Sequence, residues 1–176
     1  MSKFFKLCLV LLVACAAMAC KEKKQSDVII IRKPVTVKES APRAIGDATR
    51  KQSVKWVGAD YTITITTKAD KSLPLATDGS SKYYDNRVTL SITRSDGSSF
   101  YSRTFSKSDF RQYVDNAYYD GGALVSIVFD KVDGNRLKFA ACVGNPDKSS
   151  DEFMPLDLTI SHLGALTISK SEESEE

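Results

Sequence analysis

The chain has 176 residues and a mass of 19.4 kDa, which is enough for one domain and at most two. Hydrophobic residues make up 42% and charged residues 27%, a balance that supports a folded core and excludes a fully disordered chain. The net charge of +3 argues against a nucleic-acid binder, and a single histidine excludes multi-histidine metal sites and most histidine-based catalysis.

Residues 1–19 have the pattern of a secretory signal peptide. Two lysines precede an apolar run, Leu7–Ala14, that is too short to cross a membrane. The segment ends in Ala17-Met18-Ala19-Cys20, which fits a bacterial lipobox, in which the cysteine thiol is acylated. Leu12-Val13-Ala14-Cys15 also fits this pattern, and Ala19 fits ordinary cleavage, but polar sequence begins directly after Cys20. We therefore expect lipid on Cys20 to anchor the protein to a membrane without a spanning helix.

Residues 20–51 are expected to form the lipidated cysteine and a flexible basic tether. Residues 21–51 hold nine basic and four acidic side chains, whereas residues 52–169 are close to neutral. Residues 28–37 are β-prone, with Pro34 typical of an edge strand. We expect this stretch either to join the sheet of the domain or to pair with a partner.

Residues 52–170 alternate apolar and polar side chains in the manner of an all-β domain. Apolar alternation predicts strands over 61–66, 88–93, 100–105, 125–129, 137–143, 154–160 and 166–168, with hairpin turns at Asp96-Gly97 and Asp133-Gly134-Asn135. The pattern predicts an antiparallel β-sandwich or barrel of seven to eight strands.

Residues 107–116 instead have helical spacing and predict one short amphipathic helix. Ser106 and Asp109 form a capping-box pattern at its start. Beyond the domain, residues 171–176 are expected to be an acidic disordered tail.

Few residues indicate chemistry. Once Cys20 carries lipid, Cys142 is the lone thiol of the domain and is expected to be a small buried side chain. His162 adjoins a predicted turn and is expected to lie on the surface, while Trp56 is expected in the core. We therefore predict no catalytic residue, no metal site and no cofactor.

Two similar strings carry the candidate ligand-binding residues, Tyr83-Tyr84-Asp85-Asn86 and Tyr118-Tyr119-Asp120-Gly121. Tyrosine offers a flat ring and a hydroxyl, which suit sugar or peptide recognition. Tyr83, Tyr84, Tyr118 and Tyr119 are therefore candidates. The alternative is that one tyrosine of each pair packs on the core and the other covers its rim.

Several short strings together resemble a family of small uncharacterised lipoproteins of the Bacteroidetes, a domain of unknown function. They include Cys20-Lys21-Glu22-Lys23-Lys24, Trp56-Val57-Gly58, Asp85-Asn86-Arg87, Arg103-Thr104-Phe105, Val128-Phe129-Asp130 and Asp151-Glu152-Phe153. The resemblance covers nearly the whole mature chain, implies a lipid anchor at Cys20 in the cell envelope, and carries over no catalytic residue. Surface-exported lipoproteins of that phylum tend to have an acidic run after the cysteine. The basic run here favours the periplasmic side of the outer membrane, with the cell surface as the alternative.

The sequence thus predicts a non-enzymatic binding or assembly module for an envelope protein or glycan partner. One alternative is a small glycan-active hydrolase that uses paired carboxylates. The other is a structural subunit that docks by strand addition through residues 28–37.

Overall fold

The computed structural model describes residues 40–171. The signal peptide, Cys20, the segment 28–37 and residues 172–176 of the predicted tail lie outside this range. The strands are β1 (Arg43–Ala44), β2 (Ala48–Trp56), β3 (Ala59–Ala69), β4 (Leu75–Asp78), β5 (Ser81–Tyr84), β6 (Asn86–Arg94), β7 (Ser99–Phe105), β8 (Ala123–Asp133), β9 (Arg136–Gly144), β10 (Phe153–Ser161) and β11 (Leu166–Lys170). A 3₁₀ helix spans Lys107–Tyr113, and α1 spans Asn116–Tyr119. Within this range no helix has the length and apolar character needed to cross a membrane.

The prediction of a mostly β domain is confirmed, since strands hold 61% of residues 40–171 and helices hold 8% of them. The first sheet has the order β2-β3-β6-β7, and the second has the order β11-β10-β9-β8; both are antiparallel. A small sheet, β1-β5-β4, contains the parallel pair β1 and β5. None of these sheets in residues 40–171 closes into a barrel.

The predicted count of seven to eight strands was too low, because four strands lack hydrophobic alternation. Three of them, β1, β4 and β5, have two to four residues each. The fourth, β2, is an edge strand whose first six residues are all exposed. It begins at Ala48, so the predicted tether over 20–51 overlaps β1 and the start of β2.

The inner faces of the two four-stranded sheets share one hydrophobic core. The first sheet contributes Ile63, Leu90 and Ile92, and the second contributes Ile127, Phe139 and Leu158, among others. Trp56 is 1% exposed, as predicted, and its ring makes edge contacts with Tyr61 and Phe100 at centroid distances of 5.2 Å and 5.4 Å. Alternation in these strands therefore does place the apolar residues inward.

The helical segment differs from the single helix predicted over 107–116. The 3₁₀ helix ends at Tyr113, and Val114 has extended backbone angles (φ −115°, ψ 130°) before α1 begins at Asn116. The start is as predicted, because the Ser106 N–H donates to Asp109 Oδ2 at 2.9 Å. Phe110 and Val114 are both buried in the core, so the apolar spacing is satisfied without one continuous helix.

Two buried polar side chains join the sheets at Leu124, near the start of edge strand β8. Asp85 Oδ1 accepts hydrogen bonds from the Leu124 N–H at 2.9 Å and the Asn86 N–H at 2.7 Å. Asn86 Nδ2 donates to the Leu124 carbonyl at 2.9 Å. Asp85 is 2% exposed and Asn86 is fully buried. These side chains, which we call the Leu124 clamp, satisfy backbone groups that have no strand partner on that side.

Asp85→Ala should lower the free energy of unfolding by about 1–3 kcal/mol, because it leaves the buried Leu124 N–H without an acceptor. Urea unfolding followed by circular dichroism measures this change. The exposed control Asp130→Ala should stay within about 0.5 kcal/mol of the wild type. Equal effects of the two substitutions would show that the clamp does not stabilise the domain.

Asp85 should also make stability depend on pH. Burial raises the pKa of its carboxyl above the ordinary value of 3.8, although the Leu124 and Asn86 N–H groups and Lys107 oppose that rise. The folded protein thus holds this proton more tightly than the unfolded chain. The contribution of Asp85 to stability is therefore fully present below the unfolded pKa and is lost as pH rises through the folded pKa.

Asp85→Asn cannot titrate, so its urea midpoint should fall less than that of the wild type as pH rises from about 4 to about 7. Asp130→Asn should keep the wild-type slope. Parallel curves for all three proteins would rule out a buried, titrating Asp85.

Candidate functional site

A polar cavity of about 310 Å³ lies beside α1, and we call it the Tyr118 cavity. Its lining combines an aromatic ring, a hydroxyl, an amide, a carboxylate and bare backbone: Thr77, Ala117, Tyr118, Gly121, Gly122, Asn145 and Glu152. Three separate parts of the chain supply these residues: β4, α1 with the turn after it, and the two ends of the loop between β9 and β10.

The turn from α1 into β8 forms one wall of the cavity and requires close backbone packing. A Cβ atom on Gly122 would lie 2.0 Å from the Tyr118 carbonyl oxygen and 2.8 Å from the Gly144 carbonyl oxygen. The Thr77 N–H donates to the Gly121 carbonyl at 2.8 Å and so ties the small sheet to this turn. Only glycine fits at position 122 without moving backbone.

Asn145 organises the opposite wall. Its Nδ2 donates to Asp78 Oδ1 at 3.2 Å and to Glu152 Oε2 at 3.1 Å. Its Oδ1 accepts from the Asp147 N–H at 2.9 Å, and its own N–H donates to the Glu152 carbonyl at 2.8 Å. One amide therefore fixes the 145–152 loop and holds two carboxylates near the cavity.

Lys107 supports the cavity from the interior. It is 8% exposed, and its Nζ donates to the Tyr119 carbonyl at 2.9 Å and the Gly122 carbonyl at 2.6 Å. Burial lowers the pKa of Lys107, while the negative charges of Asp85 and Asp120 oppose that change. The lysine thus holds the end of α1 and the turn that follows it.

Of the four predicted tyrosines, only Tyr118 lines this cavity. The ring of Tyr119 lies 4.8 Å from Lys107 Nζ and 4.5 Å from the Arg111 guanidinium carbon. The ring of Tyr84 lies 5.5 Å from Lys71 Nζ. Cations thus already occupy positions over both rings.

Tyr83 is 4% exposed and packs with Ala76 and Ala123 in a small second core. Arg43 lies over its ring at 4.6 Å and donates a hydrogen bond to its hydroxyl. The structure therefore does not gather the two tyrosine pairs around one cavity. Instead, Asp85 and Asn86 of the first string bind the backbone that follows the second string.

The lone histidine and lone thiol of the domain lie apart from the Tyr118 cavity. His162 is exposed in the β10–β11 turn, as predicted. Cys142 is half-buried rather than fully buried, because it lies on the outer side of β9, opposite the core-facing Ala141 and Val143. Burial raises the pKa of its thiol.

Residues 40–171 contain no group of three or more His, Cys, Asp or Glu side chains placed to hold a metal ion.

Sequence reasoning missed Asn145 and Asp78, which are 67 residues apart. The available signal was the Asn145-Pro146-Asp147 string, whose residues favour turns. The pairing with Asp78 follows only from the packing of the small sheet against the 145–152 loop.

These features define a small, mostly β domain with a preformed polar cavity. The chain belongs to the family described as a domain of unknown function, DUF4738, whose sequence profile matches residues 30–168. The match begins within the β-prone segment 28–37 and ends inside β11. No curated protein matches the sequence significantly.

Gly122→Ala should lower the free energy of unfolding by about 1–3 kcal/mol or more, because the added methyl group meets two backbone carbonyls. Gly121→Ala is the matched control. Its Cβ would lie 3.1 Å from Thr77 Oγ1, a side-chain atom that can move, and 3.8 Å from the Thr77 carbonyl oxygen, which is an ordinary contact. Thermal unfolding compares them, and a larger loss for Gly121→Ala would contradict the described turn.

Proposed function

We propose that this protein is a lipid-anchored cell-envelope protein whose β-domain binds a glycan at the Tyr118 cavity without chemical turnover. The observation that carries the proposal is the convergence of Tyr118, Thr77, Asn145 and Glu152 on one cavity of about 310 Å³. Small-molecule sites of this kind have volumes of roughly 300–1,000 Å³ and a few fixed polar groups.

The chemistry of the lining suits a sugar. A sugar ring has an apolar face of C–H groups, which packs on an aromatic ring, and hydroxyls that both donate and accept hydrogen bonds. The Tyr118 hydroxyl has no hydrogen-bonding partner within residues 40–171, and the Glu152 carboxylate retains acceptor capacity beyond its bond to Asn145. The Asn145 bonds hold the Glu152 side chain in place before a ligand arrives.

The location rests on the sequence. The lipobox at Cys20, the basic tether and the resemblance to Bacteroidetes lipoproteins support an anchor in the outer membrane, facing the periplasm, with the cell surface as the alternative.

For the fold, the core shared by two open four-stranded sheets favours the sandwich over the barrel alternative.

Tyr118→Ala should weaken glycan binding by at least about tenfold, the effect of losing one aromatic contact. Isothermal titration with soluble muropeptides and with xylan and starch oligosaccharides measures it. Tyr84→Ala is the matched control, since Tyr84 is a half-buried tyrosine outside the cavity lining. If every oligosaccharide fails to bind the wild type, or both variants lose binding equally, glycan recognition at this cavity is wrong.

A hydrolase is the second candidate, and the Asn145 contacts favour it over other enzymes. Asp78 Oδ1 and Glu152 Oε2 both bind Asn145 Nδ2, so these oxygens lie within about 6 Å of each other. Glycosidases use two carboxyl groups at separations of roughly 5–9 Å.

The binding proposal predicts that the same oligosaccharides gain no new reducing ends during incubation with the protein. Release that Asp78→Asn and Glu152→Gln each reduce by more than about a hundredfold would replace binding by hydrolysis. Asp130→Asn, an exposed carboxylate elsewhere, should leave any such activity unchanged.

A further inference from the structure

A second, larger cavity lies where edge strand β8 meets β2 and β3. Its volume is about 370 Å³, and we call it the β2–β8 cavity. Its apolar lining comes from both sheets and from the start of β10: Ala48, Ile65, Val125, Ile127, Val128 and Phe153. Asn145 lines this cavity as well as the Tyr118 cavity, but the other lining residues are different.

Two cations that lack partners line the same cavity. Within residues 40–171 the side chains of Arg50 and Lys148 have neither an ion pair nor a hydrogen bond, and both residues are exposed. Lys148 Nζ lies against Gly46, where a Cβ would come within 3.0 Å of it. Gly46 has a φ of +135°, so glycine both permits the backbone and leaves room for the ammonium group.

The acidic residue in the lining is already engaged. Asp147 Oδ1 accepts hydrogen bonds from the Ser149 N–H at 3.0 Å and from the Ser149 hydroxyl at 2.8 Å. These bonds lower the pKa of Asp147 and keep it charged. The cavity therefore combines apolar walls with two positive side chains. Its negative side chain, Asp147, is hydrogen-bonded to Ser149 in the same loop.

We propose that the β2–β8 cavity binds a small aliphatic carboxylate. The hydrocarbon body would pack on the apolar walls, and the carboxylate would accept charge-assisted hydrogen bonds from Arg50 and Lys148. A neutral lipid leaves both cations unpartnered, and a polar anion such as phosphate leaves the apolar walls uncovered. This site is separate from the proposed glycan site and does not depend on it.

Cys142 provides a reporter inside the cavity. It lines the wall, is free, and is half-buried. A ligand in the cavity should shield its thiol from alkylation. Peptide mass spectrometry reads Cys142 separately from the other cysteines of the full chain, so the protein need not be shortened.

The test uses the full chain carrying Cys20→Ala, so that no acyl anchor requires detergent, with decanoate as the probe and decanol as its uncharged match. We expect decanoate, below its micellar concentration, to slow N-ethylmaleimide labelling of Cys142 by about tenfold or more, and decanol to do so far less. The double variant Arg50→Gln/Lys148→Gln should lose the protection by decanoate. The control Lys51→Gln/Lys55→Gln removes two cations from the other face of β2 and should keep it.

Ala48→Trp tests the proposal with a second variant. The larger side chain should fill the cavity from an exposed position on edge strand β2, and both cations stay in place. It should abolish decanoate protection even if the double variant folds poorly. Equal protection by decanol and decanoate, protection that survives in Arg50→Gln/Lys148→Gln, or no protection at any decanoate concentration would each overturn the proposal.

Discussion

The arrangement of the domain depends on how the backbone of Leu124 is satisfied. This residue is buried at the start of an edge strand, where its N–H and carbonyl have no strand partner on one side. Asp85, just before β6, supplies the acceptor, and Asn86, the first residue of β6, supplies the donor. These two side chains thereby make the hydrogen bonds that a neighbouring strand would otherwise make to the backbone of β8. Without them the burial of Leu124 would cost the full desolvation of two backbone groups.

The Tyr118 cavity is built on this junction. Gly122, which lines the cavity, is two residues before Leu124 in the chain, and Lys107 binds its carbonyl from the interior. Asn145 closes the other wall through hydrogen bonds to Asp78 and Glu152. Polar contacts with fixed directions, rather than apolar packing alone, thus set the relative positions of α1, β8 and the 145–152 loop. Networks of this kind are costly when incomplete and rigid when satisfied.

Hydrophobic alternation predicted the seven longer apolar strands because one face of each strand lies in the shared core. It missed β2 because the first six residues of this edge strand are exposed and need not alternate, and it missed β1, β4 and β5 because they are only two to four residues long. Apolar spacing placed Phe110 and Val114 correctly in the core, yet the backbone between them and α1 is not one helix. The candidate site was only partly predictable. Tyr118 was predicted from the chemistry of its side chain and from the Tyr118-Tyr119-Asp120-Gly121 string. Asp78 and Asn145, by contrast, come together only through tertiary packing.

Preformed polar groups around one half-buried tyrosine are the reason to favour glycan recognition in a domain whose family carries no assigned role. The most direct test is a ¹H–¹⁵N correlation spectrum of the labelled protein titrated with muropeptides and with xylan and starch oligosaccharides. The account predicts the largest shift changes at Tyr118, Gly121, Gly122 and Asn145, including the Asn145 side-chain amide. An unchanged spectrum with all of these glycans, or changes confined to residues outside the Tyr118 cavity, would contradict it.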